Sequence, residues 1–481
     1  MKNIIAIDIG TTHIKSGLFT SDGSLKYLIK DATELSEDVH GTYYRPEYLK
    51  QVIFKQISDI REKEKQIDGI AVTGMAEAGL AFHLKTGQVS QIIPWFDQRT
   101  MEMAASMSEQ EEYIRYQKTG LRNSFKYGVY KYLWLLRELQ WKVEDTKWLS
   151  VCDYAVYLLT GKKVTDPSFA ARTYLYNIKE GDWDADLLKK YGFQTENFPV
   201  VMLSGSVAGT LKQTDIPVAL CGHDHICAAY GMQLTDSGLC NSCGTAETFV
   251  GLKSGFDGER TEFDRGMVYG PYMDGKRFFA LTNISSSGQS VEWIRKQLTD
   301  REISYEKVNE ILNQADPGPN GILYFPYLSG IGTPYFQPDV RAAFLGLNPS
   351  HQWKDLLTAV VDGISYQAKW ITGLCYGNSV DYIICAGGST NSSAWMQRKA
   401  NVLGFPIRVP EIEEGTLYGA AKVMINRMGE ADGFRENGIK QVYLPDHSIT
   451  DQFHEIYQNG FLRLAPMICS FYDDKKCSKE R

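Results

Sequence analysis

Apolar and polar positions alternate at the start of the chain, and a glycine turn interrupts them. Residues 3–23 read NIIAIDIGTTHIKSGLFTSDG, with β-branched residues on both sides of Gly10 and a Ser-Asp-Gly turn at the end. β-Branched residues favour strands, whereas glycine, serine and aspartate favour tight turns. The pattern predicts a β-hairpin.

Helical spacing of the apolar residues follows this hairpin. It extends over 46–65 and over 126–149, and a mostly apolar segment at 151–160 ends at Gly161. Apolar residues that recur at intervals of three and four positions indicate the buried face of a helix, and glycine is a common helix terminator. We therefore predict a helix in each of these three segments.

Strand-like segments lie between and after the predicted helices. They are found at 67–75, 91–100, 217–221, 238–252 and 381–386. Strands that alternate with helices are typical of an α/β fold.

The hairpin pattern occurs a second time. Residues 238–252 read GLCNSCGTAETFVGL, and Gly244-Thr245-Ala246 interrupts them as Gly10-Thr11-Thr12 interrupts the first hairpin. A chain of 481 residues is also too long for one ordinary core. The repeat predicts two related lobes, 1–243 and 244–481.

Composition narrows the class of protein. Hydrophobic residues make up 43% of the chain and charged residues 23%, and the net charge is −7, which argues against a nucleic-acid surface. No apolar run reaches the roughly 18 residues of a membrane span, and no signal peptide is evident, so we expect a cytoplasmic protein. The nine cysteines include a C-x-x-C at Cys240 and Cys243 without a second pair, and we expect no disulfides.

The first glycine turn has the composition of a phosphate loop. Gly10, Thr11 and Thr12 follow a strand that carries Asp8, and Lys15 comes just after the turn. Backbone N–H groups and threonine hydroxyls could surround a phosphate oxygen, with Asp8 facing its metal. The alternative is a hairpin turn without a ligand. The chain has neither a Walker loop nor a dinucleotide fingerprint.

A double glycine marks a third candidate loop. Residues 381–404 read as a buried strand, Gly387-Gly388 and a helix opened by serine or asparagine. The backbone of such a loop can approach a ligand closely, and a helix N-terminus favours a phosphate or a ribose hydroxyl. A tight turn between strand and helix is the equally good alternative.

The segment CGHDHICAAYG at 221–231 admits several interpretations. His223-Asp224-His225 could be a metal site, an acid–base centre or a turn, but the other histidines have no spacing that would complete a set of metal ligands. Asp224 follows a short apolar strand and precedes a helix of small residues, where a carboxylate could accept a proton from an attacking hydroxyl. We favour the acid–base role.

Polar residues that follow other strands could bind hydroxyl groups of a sugar. Glu77 follows the strand at 67–75, and Asp97 and Arg99 lie in PWFDQRT. Polar residues at the start of surface loops are common, so this spacing alone is weak.

Taken in order, these segments resemble the FGGY family of carbohydrate kinases, from Asp8 to about Met424. AAFLGLNPSHQWKDLLTAVVDG at 342–363 is similar to the family's C-terminal signature, with Gly346, Asp355 and Asp362 at the expected positions. Further similar segments are GKKVTDPSFAARTYLYNIKEGDW at 161–183, SGQSVEW at 287–293 and GTLYGAAKVM at 415–424.

The resemblance implies a fold, an activity and ligands. The fold is α/β, with two actin-like (ribonuclease H-like) lobes and a ligand cleft between them. The N-terminal lobe would bind the sugar and carry the catalytic base, and the C-terminal lobe would bind ATP. The activity is ATP-dependent transfer of the γ-phosphate to a hydroxyl of a sugar, such as the ketopentose xylulose, or of a related polyol. ATP and Mg²⁺ are the implied cofactors, and a homodimer is compatible with the resemblance.

The resemblance also assigns roles to individual residues. Asp224 stands at the position of the general base, and Asp8 at that of the residue that helps to hold Mg²⁺. The positions of the nucleotide site are Gly10, Thr11, Thr12, Lys15, Gly244, Thr245, Gly288, Gly388 and Ser392. The substrate-side positions are Glu77, Trp95, Asp97 and His225.

The chain departs from named members of the family at positions 76, 77 and 225, which bear on the substrate; at 225 the family often has Asn or Gln, and this chain has His225. Glycerol kinases carry an arginine where this chain has Ala76, and xylulokinases carry Met-His where it has Ala76-Glu77. The resemblance therefore leaves the sugar or polyol open. A sugar sensor and a nucleotide hydrolase on the same fold are the alternatives to a kinase.

Overall fold

Two β-sheets organise the chain, one in each half, and confirm the predicted α/β class. The structure is a computed structural model that describes residues 2–297, 302–377, 380–429 and 434–479, with side chains described as far as Tyr472. Both predicted hairpins are present, one at the start of each sheet.

The first sheet is built from six strands in the first half of the chain. They are β1 (Asn3–Ile9), β2 (His13–Thr20), β3 (Leu25–Ala32), β4 (Gly69–Gly74), β5 (Val207–Thr210) and β6 (Pro217–His223). Their order across the sheet is β5-β6-β4-β1-β2-β3. β1, β4 and β6 are parallel, so their carboxyl ends meet at one edge.

The second sheet repeats this arrangement in the second half. Its strands are β7 (Gly238–Cys243), β8 (Glu247–Lys253), β9 (Val268–Pro271), β10 (Phe278–Ile284), β11 (Tyr382–Ala386), β12 (Ile407–Pro410) and β13 (Ile439–Tyr443). Their order is β9-β10-β8-β7-β11-β12-β13, and β7, β11 and β12 are parallel. In both sheets an antiparallel hairpin is extended on one side by antiparallel pairing and on the other by two parallel strands and a final antiparallel edge strand.

This pairing bears on the boundary between the lobes. β7 belongs to the second sheet, although the boundary predicted after Cys243 places it with the first lobe. We therefore propose a boundary between Gly231 and Gly238, because every strand of the first sheet precedes it and every strand of the second follows it.

Helices surround the two sheets. They are α1 (Pro46–Lys63), α2 (Met101–Ala105), α3 (Glu109–Thr119), α4 (Gly128–Leu139), α5 (Val151–Thr160), α6 (Pro167–Ala171), α7 (Ala185–Lys190), α8 (Asp224–Gly231), α9 (Arg260–Asp264), α10 (Gly288–Gln297), α11 (Tyr305–Gln314), α12 (Trp353–Ile371), α13 (Ser393–Leu403), α14 (Gly415–Arg427), α15 (His447–Ile456) and α16 (Leu462–Lys479). Across the part of the chain that the structure describes, every helix is too short or too polar for a membrane span.

Shorter strands pair outside the two large sheets. They are Leu35–Asp38 with Gly41–Tyr44, Gly79–His83 with Thr146–Ser150, Val164–Thr165 with Val200–Val201, Tyr176–Asn177 with Asp182–Trp183, and Leu323–Phe325 with Ala343–Leu345.

Two of the predicted elements are wrong in extent. The helix predicted over 126–149 ends at Leu139, because Gln140 adopts a left-handed conformation with φ 54°, and the chain continues to the strand Thr146–Ser150. The predicted strand at 91–100 is reduced to isolated bridges at Ile92 and Ile93. In both segments, pairing with residues that are distant in the sequence determines the structure, and the local spacing of apolar residues does not.

Helices α8 and α14 join the lobes. They pack against each other, α8 against β6 of the first sheet and β8 of the second, and α14 against β1 and β4. The contact is close at glycine: a Cβ added to Gly419 would lie 1.8 Å from the Cys227 carbonyl oxygen, and one added to Gly231 would lie 2.8 Å from that of Gly415. The N-terminus of α8 is thereby fixed at the edge where β1, β4 and β6 end.

Candidate active site

The edge at which β1, β4 and β6 end carries three of the predicted site residues. Asp8 lies near the end of β1, Glu77 follows β4, and Asp224 directly follows β6 and begins α8. Side chains at the carboxyl ends of parallel strands are brought together by the sheet itself, which is why such edges often carry ligand sites.

Asp224 has one carboxylate oxygen engaged and one open. Its Oδ1 accepts a hydrogen bond from the His225 backbone N–H at 2.7 Å and lies 3.4 Å from His223 Nδ1. Its Oδ2 accepts none from the described residues, and the side chain is 30% exposed. Burial raises the pKa of Asp224, but His225 and His223 outweigh burial and lower this pKa to about 2. The group is therefore an ionised carboxylate with a free acceptor.

Asp8 lies at the same edge, but its pKa is shifted in the opposite direction from that of Asp224. The residue is 8% exposed, and its Oδ1 has no hydrogen-bond partner in the described part of the chain. Burial and the charge of Asp224 raise the pKa of Asp8 to about 7, although Lys15 acts to lower it. Two carboxylates that repel each other create a position that favours a cation. Asp8 could hold a hard cation there.

The first glycine turn is held in shape by its neighbours. The Gly10 N–H donates to the His13 carbonyl at 3.0 Å, and the Trp95 indole N–H donates to Thr11 Oγ1 at 3.0 Å. Thr12 is exposed at the tip of the turn. Lys15 does not point to an empty cleft, because its Nζ lies 2.6 Å from Glu414 Oε2, across from the first lobe to the second.

Glu77 is surrounded by cationic side chains. It has a left-handed backbone with φ 59°, which is unusual for a residue other than glycine. Its Oε1 lies 3.4 Å from Arg172, and its carbonyl accepts a hydrogen bond from Lys131 Nζ at 2.5 Å. Burial raises the pKa of Glu77, but Arg172 and Lys126 outweigh it and hold this pKa below the ordinary value.

Trp95 and Asp97 lie in different environments although they are two residues apart. Trp95 is 41% exposed and is available to a ligand through its ring. Asp97 is buried, and its carboxylate accepts hydrogen bonds from the Arg99 guanidinium at 2.7 Å and from the Thr42 N–H at 2.7 Å. Protein groups thus bind both carboxylate oxygens of Asp97. The predicted role of Asp97 in binding the substrate stays a prediction.

His225 faces a small pocket between the lobes. The pocket has a volume of about 160 Å³ and is also lined by Lys15, Ser242, Gly387 and Glu414. His225 thus lies on the side of Asp224 that faces the second lobe.

The second and third glycine loops form one pocket in the second lobe. Its volume is about 640 Å³. The predicted nucleotide-site residues that line it are Gly244, Thr245, Gly288, Gly388 and Ser392. The Ser392 hydroxyl accepts a hydrogen bond from the Trp395 N–H at 3.3 Å, so the predicted serine cap of this helix is confirmed.

Several residues of this pocket were not predicted from the sequence. Tyr305 and Asn309 lie one turn apart on α11, and Trp395 lies in the first turn of α13. Trp395 could have been found, because it lies in the first turn of the helix that follows the double-glycine segment. No local pattern distinguishes Tyr305 and Asn309.

A buried ion pair supports the floor of this pocket. Lys399 and Glu247 are both fully buried, with Nζ and Oε2 2.7 Å apart, and Lys399 also donates to Asn241 Oδ1 at 2.6 Å. Burial lowers the pKa of Lys399, but Cys243 and Glu247 raise it above the ordinary value. The cluster fixes β7, β8 and α13 relative to one another.

The described residues contain no group of three or more histidine, cysteine, aspartate and glutamate side chains arranged to hold a metal ion. The cysteines with described side chains are all buried and unbridged. His223 is fully buried, and burial lowers its pKa to about 4. A neutral His223 beside Asp224 fits the acid–base interpretation of the His-Asp-His segment.

Comparison with known proteins gives matches over almost the whole chain. Residues 3–231 match the model of the N-terminal domain of the FGGY family of carbohydrate kinases, and residues 239–425 match that of its C-terminal domain.

Relatives with these two domains include a xylulose kinase from Staphylococcus xylosus, 25% identical over 89% of this chain and 91% of the relative. A glycerol kinase from Alteromonas mediterranea is 26% identical over 87% of this chain and 89% of the relative. The fold is similar to that of a xylulose kinase from Lactobacillus acidophilus, with a TM-score of 0.90 and 20% identity over 98% of this chain and 100% of that chain. The likeness confirms the predicted fold of two actin-like lobes.

Proposed function

We propose, from the premise that this chain belongs to the FGGY family of carbohydrate kinases, that it transfers the γ-phosphate of ATP to a hydroxyl group of a sugar or polyol. The observation that carries the proposal is the ionised Asp224 carboxylate, with one open oxygen, at the edge of the first lobe.

The nucleotide would bind to the glycine loops. The pocket of about 640 Å³ in the second lobe has the size and the polar backbone turns that a nucleotide requires, and the N-terminus of α13 opens onto it. Thr11 and Thr12 of the first lobe would meet the terminal phosphates from the other side, together with Lys15.

The acceptor would bind on the first lobe. Glu77, Trp95 and Asp224 all lie at or beside the edge where β1, β4 and β6 end. Asp224 would orient one hydroxyl of the acceptor and take its proton. The hydroxyl oxygen would form a bond to the γ-phosphorus as the bond from that phosphorus to the β-phosphate oxygen breaks, and ADP would leave.

Asp8 fits Mg²⁺. Its buried Oδ1 has no partner, and Mg²⁺ is usually held by one or two carboxylates together with substrate phosphates and water. When bound, Mg²⁺ would neutralise charge on the phosphates. The protein would hold the Asp8 carboxylate in position and leave its Oδ1 without a hydrogen-bond donor that would compete with the metal ion.

The relatives do not decide which acceptor is used. One is named a xylulose kinase and another a glycerol kinase, at nearly the same identity to this chain. Xylulose and glycerol are therefore the reference acceptors for a first assay. Residence in the cytoplasm and a homodimeric state stay predictions.

The proposal is tested by replacing the base. In Asp224→Asn we expect ADP release in the presence of an acceptor to fall by a factor of roughly 100 or more, because general-base catalysis contributes about that much. ADP binding, measured by calorimetry, should stay within about threefold, because the nucleotide pocket lies in the other lobe.

Asp186→Asn is the matched control, because Asp186 is 90% exposed and remote from this edge, and its turnover should equal that of the unmodified protein. ADP release that does not depend on any acceptor would instead indicate a nucleotide hydrolase. Near-normal turnover by Asp224→Asn would refute the base assignment.

A further inference from the structure

More positive than negative charge surrounds Glu77. Lys126, Lys131 and Arg172 all act on its carboxylate, and Arg172 also acts on His223 beside Asp224. The cations therefore lie in the acceptor half of the cleft, next to the proposed base. No sequence motif marks them, because the three residues come from a loop, from α4 and from the segment after α6.

Some hydrogen-bond donors of these cationic side chains have no acceptor among the described residues. Arg172 is 6% exposed, and its Nε has no partner among the described residues. No hydrogen bond or ion pair joins the Lys126 ammonium to any described residue. Burial lowers the pKa of Lys126, with Glu77 acting against burial and Arg172 adding to it. Arg172 thus pairs with Glu77 through one nitrogen and keeps its Nε without an acceptor, and the Lys126 ammonium has only the Tyr127 ring, at 5.8 Å from its centroid.

The carboxylates nearby do not balance these charges. Among the residues that the structure describes, Glu77 forms an ion pair with Arg172 alone, at 3.4 Å. Lys131 is fully buried, and its ammonium binds the Glu77 carbonyl. Asp97, which also acts on Lys131, is bound by Arg99 at 2.7 Å. Cations removed from water are costly unless an anion or several acceptors meet them. Lys126 and Arg172 together carry two positive charges against the single negative charge of Glu77, so one negative charge is missing beside them.

A neutral sugar would not supply that charge. Its hydroxyls can accept hydrogen bonds from lysine and arginine, but they leave the net charge unchanged. A carboxylate supplies both the charge and two acceptor oxygens, and the planar arginine fork and the lysine ammonium are the groups that bind carboxylates most strongly.

We propose that the acceptor is a polyhydroxy acid, whose carboxylate is bound by Lys126 and Arg172 while its hydroxyls face Glu77 and Asp224. This inference rests on the proposed kinase function and narrows the acceptor to sugar acids.

Matched pairs of acceptors test the inference. Each pair consists of an aldonic acid and the alditol that has a hydroxymethyl group in place of the carboxylate: gluconate with glucitol, ribonate with ribitol, and threonate with threitol. ADP release is measured for each in a coupled assay, with xylulose and glycerol as references. We expect kcat/KM for the acid of at least one pair to exceed that of its alditol by about 100-fold, because a charge-assisted contact replaces a neutral one.

A variant tests the residues. Lys126→Met keeps the length of the side chain and removes the charge, so KM for the preferred acid should rise by roughly tenfold or more with little change in kcat, and KM for the alditol should rise much less. Lys126→Arg should retain the preference for the acid. Lys354→Met is the control, because Lys354 is exposed at the start of α12 in the second lobe, and it should change neither acceptor. Circular dichroism establishes that each variant is folded.

The outcomes separate the two proposals. If xylulose, glycerol or the alditols are phosphorylated as well as the acids or better, the inference is wrong and the kinase function stands. If no acceptor raises ADP release, both are wrong. An acid preference that Lys126→Met leaves intact would also overturn the inference, because the carboxylate would then be bound elsewhere.

Discussion

At the scale of single residues, the site depends on two carboxylates with opposite tendencies. Asp8 is enclosed at the end of a strand with an oxygen that has no partner, so burial and repulsion raise its pKa to about 7. Asp224 opens a helix and receives a backbone N–H and the influence of two histidines, which lower its pKa to about 2. The same sheet edge therefore carries a buried carboxylate with an unpartnered oxygen, which we propose as the cation ligand, and an ionised carboxylate, which we propose as the base.

Lys131 gives a pH-dependent prediction at this scale. Burial lowers its pKa to about 7 in the folded protein, against about 10.4 in an unfolded chain. Between these values the unfolded state binds a proton that the folded state has released, so this group makes stability rise with pH.

We therefore expect the unmodified protein to gain stability relative to Lys131→Met by about 2 kcal/mol between about pH 7 and about pH 8.5. Urea unfolding of both proteins at the two pH values measures this gain. A difference that is the same at both values would show that Lys131 keeps its proton in the folded state.

Candidate site residues that belong to a local sequence pattern could be predicted from the sequence. Those without such a pattern could not. Gly244 and Thr245 were predicted because they repeat a turn, and Asp224 because it separates a strand from a helix. Lys126, Arg172 and Lys399 are single cations in otherwise unremarkable segments. They become part of a site only when distant segments pack together, which no local spacing encodes.

At the scale of elements, the contact between α8 and α14 holds Asp224, the proposed base, in position. The two helices approach so closely that Gly419 has no room for a side chain beside the Cys227 carbonyl. This glycine is therefore required by packing and not by a turn. Because α8 begins with Asp224, a displacement of this contact moves the carboxylate.

Substitution at this contact tests its importance. Gly419→Ala should destabilise the protein by about 3 kcal/mol, because the added methyl group must separate the two helices. It should also lower kcat more than it changes ADP binding. Both effects are measured by urea unfolding and by the coupled assay.

Gly373→Ala is the matched helical control. Gly373 lies in the π-helical segment Thr372–Tyr376 with open space where its Cβ would be, so its stability should stay within about 1 kcal/mol of the unmodified protein. Equal stability of the two variants would show that α8 and α14 can move apart without cost.

Helices and strands were predicted correctly where the spacing of apolar residues agrees with the pairing and packing of the segment in the structure. The hairpins, α1 and α5 follow from residue patterns that their surroundings support. The helix predicted over 126–149 was too long because residues beyond Gln140 pair with Gly79–His83, a segment far away in the sequence. Such pairing overrides apolar spacing that is compatible with either structure.

At the scale of the whole molecule, the ion pair between Lys15 and Glu414 crosses between the lobes beside the first glycine turn. Lys15 of β2 meets Glu414 at the start of α14, and both side chains are about one quarter exposed, at 24% and 23%. An exposed pair of this kind contributes at most about 1 kcal/mol. Lys15 must leave Glu414 in order to reach a phosphate.

Removing that competitor should strengthen nucleotide binding. In Glu414→Gln we expect ADP without metal to bind more tightly by up to about fivefold, which corresponds to about 1 kcal/mol. Calorimetry in the presence of a chelator measures the change. Glu411→Gln is the control, because Glu411 pairs with Arg435 at the surface and should leave binding unchanged. Unchanged or weaker binding in Glu414→Gln would exclude Lys15 as a phosphate ligand.

The separation of the nucleotide pocket from the residues around Glu77 has a kinetic consequence. In the proposed function the acceptor would meet the first lobe and the nucleotide mainly the second, with only its terminal phosphates reaching Thr11, Thr12 and Lys15 of the first lobe. Neither substrate would then need the other in order to find its site. Under the proposed function, the protein would impose no order of addition, and the reaction would proceed through a ternary complex without a phosphorylated enzyme intermediate.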